Sequence, residues 1–146
     1  MSEEEARRAM SEKHPVVLLI DDEPDIRKTI GRRLEQEGFG VILAASGEEG
    51  LRVAKEQQPD LVLLDIMMPK MKGRDVCAKL KAEPGTAHIP VIFLTALGLP
   101  DHVKAGLDMG ADDYLVKPCD PQELKMRIAI CLARHQARRA ATRETR

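Results

Sequence analysis

The chain has 146 residues, long enough to bury a real core, and its 23 basic and 24 acidic residues leave a formal net charge of −1, so no overall field points to nucleic acid or to an acidic substrate. Its apolar runs are strand-length and Met1-Ser2-Glu3-Glu4-Glu5 is the opposite of a signal or transit peptide, which leads us to expect a cytoplasmic protein with no membrane partner. Cys77, Cys119 and Cys131 are an odd number without metal-ligand spacing and read as reduced, packed thiols.

Residues 1–13 are charged and lack an apolar period, so a mobile leader is expected there. Val16-Val17-Leu18-Leu19-Ile20 is a buried strand that stops at Asp21-Asp22-Glu23. Pro24 suits the first turn of a helix whose inner face is Ile26, Ile30 and Leu34 and whose stop is Gly38. Val41 to Ala44 is a further strand, and Ser46-Gly47-Glu48-Glu49 has the Ser-x-x-Glu spacing of a capping box ahead of Leu51 and Ala54.

Leu61 to Leu64 read as a strand buried on both faces, with Asp65 emerging at its carboxyl end and Pro69 beyond. An acid at that edge is placed either for chemistry or to cap the next turn. Val76, Cys77 and Leu80 follow at helical spacing, then the turn-rich Glu83-Pro84-Gly85-Thr86. Val91-Ile92-Phe93-Leu94 is another continuous apolar run, ending at Thr95-Ala96.

Residues 100–109 fit a helix with Val103 and Leu107 inward and Gly110 as its left-handed stop. Tyr114-Leu115-Val116 is a last short strand closed by Lys117-Pro118, and Asp120-Pro121-Gln122-Glu123 opens a helix with Leu124, Ile128 and Leu132 as its buried stripe. Five strands alternating with five helices predict an α/β, doubly wound parallel sheet covered on both faces, a domain over 14–135 followed by a basic tail, 136–146. That tail suits a solvated helix end, an arm for an acidic partner or the start of a linker.

Right-handed crossovers bring the carboxyl ends of the strands together near the point where strand order reverses. Asp21, Asp22, Asp65, Thr95 and Lys117 all sit at such ends. Crowded carboxylates repel unless a hard divalent cation neutralises them, and oxygen ligands with open water positions suit Mg²⁺. A lysine and a hydroxyl beside that ion would hold phosphoryl oxygens, and a carboxylate is able to take the group covalently.

This constellation, in this order, resembles the receiver domain of two-component response regulators over roughly residues 14–135. Leu19-Ile20-Asp21-Asp22-Glu23-Pro24 is similar to the family's acidic pair, Leu63-Leu64-Asp65-Ile66-Met67-Met68-Pro69 to its phosphoacceptor strand, Leu94-Thr95-Ala96 to its switch hydroxyl, and Gly110 to Pro118 to its lysine strand. The resemblance implies a flavodoxin-like sheet of order 2-1-3-4-5 and phosphotransfer to Asp65 from a histidine kinase or histidine phosphotransfer protein. It implies Mg²⁺ on Asp22, Asp65 and the Met67 carbonyl, with Asp21 assisting through water. Lys117 and Thr95 would bind the phosphoryl oxygens, and Thr95 with Tyr114 would switch the surface formed by residues 100–109, the Tyr114 strand and the helix from Pro121. A downstream protein or a second copy would dock there, without direct nucleic-acid binding.

No output domain is evident, so the expectation is a stand-alone receiver, a phosphate relay or sink, or a piece of a longer regulator. Apolar Met67 and Leu97 would flank the phosphoryl group and slow its hydrolysis. Two departures from the family pattern stand out: Lys72 where an acid often precedes Gly73, and Cys119 where phenylalanine commonly follows Lys-Pro. The family's Lys-Pro bond is usually cis. A dehalogenase-like phosphatase would need a second aspartate where Met67 stands. An FMN carrier would need a hydroxyl- and glycine-rich loop where this chain has acids, which repel a phosphate.

Overall fold

The computed structural model describes residues 14–96 and 110–144. The expected leader 1–13, the expected helix 100–109 with Val103 and Leu107, and Leu97 lie outside them. Continuous apolar runs need cover on both faces, and the chain supplies it by placing β1 (Val16–Ile20), β3 (Leu61–Asp65) and β4 (Val91–Thr95) in the middle of a five-stranded sheet. β2 (Gly40–Ala44) and β5 (Asp113–Val116) form its edges, in the order β2-β1-β3-β4-β5, and every pairing is parallel. This is the predicted doubly wound sheet with its reversal between β1 and β3.

Strand side chains alternate between the two faces. Val17, Leu19, Leu61, Leu63, Ile92, Leu94 and Leu115 enter one core with Ile30 and Leu34 of α1 (Pro24–Gln36) and Leu124 and Ile128 of α4 (Pro121–Glu144). Leu18, Ile20, Val62, Leu64, Val91 and Phe93 enter the other, against Ala54 of α2 (Gly47–Gln57) and Val76, Cys77 and Leu80 of α3 (Gly73–Ala82). Each fully buried Leu, Ile or Val contributes about 2 kcal/mol relative to exposure, so a one-residue slip of any central strand, which exchanges its faces, is excluded.

The helix ends follow local chemistry. Pro24 occupies the first turn of α1, and Gly38 takes φ of 93° just past its end. Ser46 Oγ accepts from the Glu49 N–H at 3.2 Å while Glu49 accepts from the Ala45 N–H at 3.1 Å, a reciprocal cap shifted by one donor from the usual box. At α4, Asp120 accepts from the Gln122 N–H at 2.9 Å. That helix does not break at residue 135 but runs on to Glu144, and Arg138 meets Asp112 at 3.6 Å. Among the described residues no helix is long and apolar enough to cross a membrane.

At the amino ends of the strands, acids serve the backbone. Asp60 accepts from the Val16 N–H at 2.7 Å and Asp112 from the Val91 N–H at 2.9 Å, while Lys81 donates to the Ile89 carbonyl at 2.8 Å. At the carboxyl end of β3 a different constraint operates. The Gly73 N–H reaches back to the Ile66 carbonyl at 3.0 Å, and a Cβ on Gly73 would collide with the Asp65 carbonyl oxygen and stand 2.8 Å from Ile66 Cα. Only glycine lets α3 start this close to the loop that carries Asp65.

Gly73→Ala is therefore expected to lower stability by about 2 kcal/mol in urea denaturation, because backbone rather than a side-chain tip must move. Gly85→Ala, where an added Cβ meets nothing within 4 Å, should stay within about 0.5 kcal/mol.

Candidate functional site

The alternation that builds the two cores also aims the chemistry. Asp65 continues the Leu61, Leu63 series, Asp21 the Val17, Leu19 series, and Lys117 follows Leu115 by two, so all three share the face covered by α1 and α4. Carboxylate oxygens of Asp21, Asp22 and Asp65 lie within 4.8 Å of one another. Lys117 Nζ stands 2.8 Å from Asp21 Oδ2 and 3.6 Å from Asp65 Oδ1, and the Lys117–Pro118 peptide is cis. Among the described residues three carboxylates thus face one ammonium, a formal surplus of two negative charges.

Asp21 is fully buried, and each of its polar groups is engaged. Its N–H donates to the Ala44 carbonyl at 3.2 Å, Oδ1 accepts from the Glu23 N–H at 2.9 Å and Oδ2 accepts from Lys117. Its carbonyl accepts from Arg27 Nη1 at 2.7 Å. Asp22 is partly exposed and lines a cleft of about 490 Å³ together with Ser46, Met68 and Lys70. Asp65 is 5% exposed, and its Oδ1 accepts from the Met67 N–H at 3.1 Å. Met67 itself is 54% exposed.

Burial raises the Asp65 pKa above the ordinary value of 3.8. The Lys117 ammonium and the Met67 N–H pull it down, and the charges of Asp21 and Asp22 push it up. The net direction is upward because desolvation outweighs a single cation.

Thr95 closes β4, buried, and its carbonyl accepts from the Lys117 N–H at 2.7 Å. It belongs to the other face of the sheet, with Phe93. Tyr114 pairs with Phe93 and Val116 with Thr95, which puts Tyr114 on that same face, one diagonal step from Thr95 and away from the carboxylates. Tyr114 is 36% exposed, turned toward solvent. Strand ends thus bring Asp21, Asp22, Asp65 and Lys117 together, with Thr95 adjoining them and Tyr114 behind.

Cys119 is half-buried and burial pushes its thiol up, as it does for Cys77 and, to about 11, for Cys131. That direction favours plain packing over an activated thiol beside Lys117. Ile26, Ile30, Pro118, Cys119 and Leu124 line a mostly apolar cleft of about 470 Å³ that Lys117 also borders. Two contributors were invisible in the sequence. Arg27 falls there among the polar positions of the helix from Pro24, and Gly73 only as the glycine that Lys72 precedes; the close approach of their partners reveals what they do.

Comparison with known proteins agrees with this arrangement. The family model described as Response regulator receiver domain matches residues 17–129. A probable transcriptional regulator ycf27 of Porphyridium aerugineum is 48% identical over 118 residues, covering 81% of this chain and 48% of the relative. The DNA-binding dual master transcriptional regulator RpaA of Synechocystis is 44% identical over 120 residues, covering 82% of this chain and 50% of the relative. The chain spans about half the length of the curated relatives it matches. Among solved structures, the receiver domain of sensor histidine kinase PA1611 of Pseudomonas aeruginosa, which holds a magnesium ion in its active site cleft, superposes with a TM-score of 0.77 at 29% identity. It covers 82% of this chain and 98% of that one.

The raised pKa of Asp65 has a stability consequence. The folded protein holds this proton more tightly than the unfolded chain, so ionisation destabilises the fold, fully above the folded-state pKa and progressively less as pH falls through it toward 3.8. Asp65→Asn, which keeps the shape and the acceptor for Met67, should raise the melting temperature at neutral pH by a few degrees without metal. The gain should shrink steadily in melts at lower pH, and a pH-independent difference would assign it to packing instead.

Proposed function

The chain belongs to the response regulator receiver domain family, and from that premise we propose that it is a phosphoacceptor whose Asp65 takes a phosphoryl group from a histidine kinase or histidine phosphotransfer protein. The observation that carries this is the cluster of three carboxylates at the strand ends with Lys117 between two of them. An Asp65 oxygen attacks phosphorus, the P–N bond to the donor imidazole breaks, and the imidazole leaves with the electron pair and picks up a proton. Lys117 binds a phosphoryl oxygen as that charge arrives, and Thr95 holds another.

The donor set fits a hard divalent cation: oxygen atoms only, close together, with surplus negative charge and one partly exposed carboxylate. Asp22, Asp65 and the Met67 carbonyl would hold Mg²⁺, which, when bound, supplies charge neutralisation for the incoming phosphoryl group. Asp21 assists through water, a role that suits a buried carboxylate whose two oxygens already accept from Glu23 and Lys117. The magnesium in the cleft of the PA1611 receiver supports the same choice of ion.

Output follows from the face shared by Thr95 and Tyr114. Once Asp65 carries phosphate, Thr95 turns toward it and Tyr114 moves into the space vacated, favouring a second arrangement of that surface. The docking partner is a downstream protein or a second copy. The matched relatives are transcriptional regulators about twice as long as the matched segment, which favours a receiver belonging to a longer response regulator over the stand-alone reading. The expected absence of nucleic-acid contact then applies to this segment alone, and DNA is the target of an output unit.

An acyl phosphate with Mg²⁺ should add one phosphoryl group to the chain in intact-mass spectrometry, and neither Asp65→Asn nor EDTA-treated protein should be labelled. Equal labelling of Asp65→Asn would remove Asp65 from its role. Thr95→Ala should still be labelled, yet in amide hydrogen exchange with beryllofluoride it should lose the protection change at Tyr114 that the wild type shows. Exchange changes confined to Asp21, Asp22 and Asp65 in the wild type would make the protein a relay or sink.

A further inference from the structure

We propose that Arg27, outside the carboxylate–lysine cluster, is a positioning residue for the cation-binding acids and acts on Asp22 through the peptide that joins it to Asp21. This rests on the reading that those acids hold a divalent cation. The Asp21 carbonyl and the Asp22 N–H belong to one planar peptide unit, so whatever fixes the carbonyl fixes the plane from which Asp22 departs. That carbonyl accepts from Arg27 Nη1 at 2.7 Å, the guanidinium reaching back from α1, where the Arg27 N–H donates to the Glu23 carbonyl at 2.9 Å. Both contacts bracket Asp22 and Glu23 from the same side chain and backbone.

The rest of Asp21 is held by strand and lysine, through Ala44, Glu23 and Lys117. Of those, the Glu23 N–H bond closes a turn across the Asp21–Asp22 peptide from its far side, and Arg27 is the group that holds the carbonyl of that peptide directly. Asp22 is partly exposed and makes no ion pair among the described residues, so its direction depends on its backbone. Arg27 therefore does for Asp22 what an outer-shell hydrogen bond does for a metal ligand: it narrows the orientations from which the ligand must be ordered on binding.

Charge and position predict opposite signs, which makes the proposal testable. Removing a nearby cation, by electrostatics alone, tightens the binding of Mg²⁺ to the remaining carboxylates. Losing the guanidinium's hold on the Asp21–Asp22 peptide weakens it. Isothermal titration of Mg²⁺ into the metal-free full chain should therefore show Arg27→Met weakened about tenfold, the lower end of what an outer-shell partner is worth. Lys28→Met, which removes the same charge from the next, exposed position of α1, should bind as well as wild type or slightly better.

Thermal melts without Mg²⁺ run alongside separate a folding effect from a site effect. Arg27→Met with a lower melting temperature and unchanged or tighter Mg²⁺ binding overturns the proposal. Should that variant not fold, Arg27→Lys carries the test, since it keeps the charge but not the planar fork, with an expected loss of about threefold; wild-type affinity there overturns it. A wild-type chain that binds no Mg²⁺, while still holding its fold, sinks the cation reading itself and this inference with it.

Discussion

The Lys117 ammonium lies between two buried carboxylates, and much of the molecule is arranged to make that tolerable. Among the described residues one cation faces three acids, and the Asp65 pKa is raised chiefly by burial, with the charges of Asp21 and Asp22 adding to the rise. A buried charge cluster of this kind contributes little or nothing to stability; breaking it by removing one partner is costly, and replacing it by apolar groups is often not. That the fold gathers these charges at a cost supports the phosphoacceptor reading proposed above. Exposed pairs such as Arg52–Glu56 at 3.9 Å are a different matter, each worth roughly 0.2–1 kcal/mol at most.

The two ends of the sheet make the contrast concrete. Asp60 and Asp112 stand at the amino ends of strands, where each accepts from the first N–H of a neighbouring strand. They complete the ladder, and nothing about them is left over. Asp21 and Asp65 stand at the carboxyl ends, where the same residue type is gathered with like charge around a lysine. Strand polarity, through the direction of backbone donors and acceptors, separates acids that finish the ladder from acids gathered in a cluster at the strands' carboxyl ends.

The cost of gathering them is met by rigid surroundings. Asp21 follows β1 directly and Asp65 ends β3, and Val17 to Ile20 and Leu61 to Leu64 are inaccessible on both faces. The loop after β3 is pressed against the first turn of α3 at Gly73, and the loop after β1 is tied to α1 by Arg27. β5 is one of the two edge strands, with Tyr114 and Val116 partly exposed, and it and the residue before it are joined to α4 by Arg127–Asp113 at 3.3 Å and Arg138–Asp112 at 3.6 Å.

The architecture was legible in the sequence because it is a matter of period and polarity. Val16 to Ile20, Leu61 to Leu64 and Val91 to Leu94 are unbroken apolar runs, which belong only in strands covered on both sides, and each stops at a polar residue. The gathering of Asp21, Asp22, Asp65 and Lys117 was legible for the same reason, since parallel strands all deliver their carboxyl ends to one edge. Distances were not. That Lys117 touches Asp21 more closely than Asp65, that burial pushes the Asp65 pKa upward, that Thr95 and Tyr114 share the opposite face, and that Arg27 and Gly73 shape the loops all depend on contacts between residues far apart in the chain. Local pattern encodes which face a side chain takes; only the assembled sheet, with its register and its helices in place, decides what it meets there.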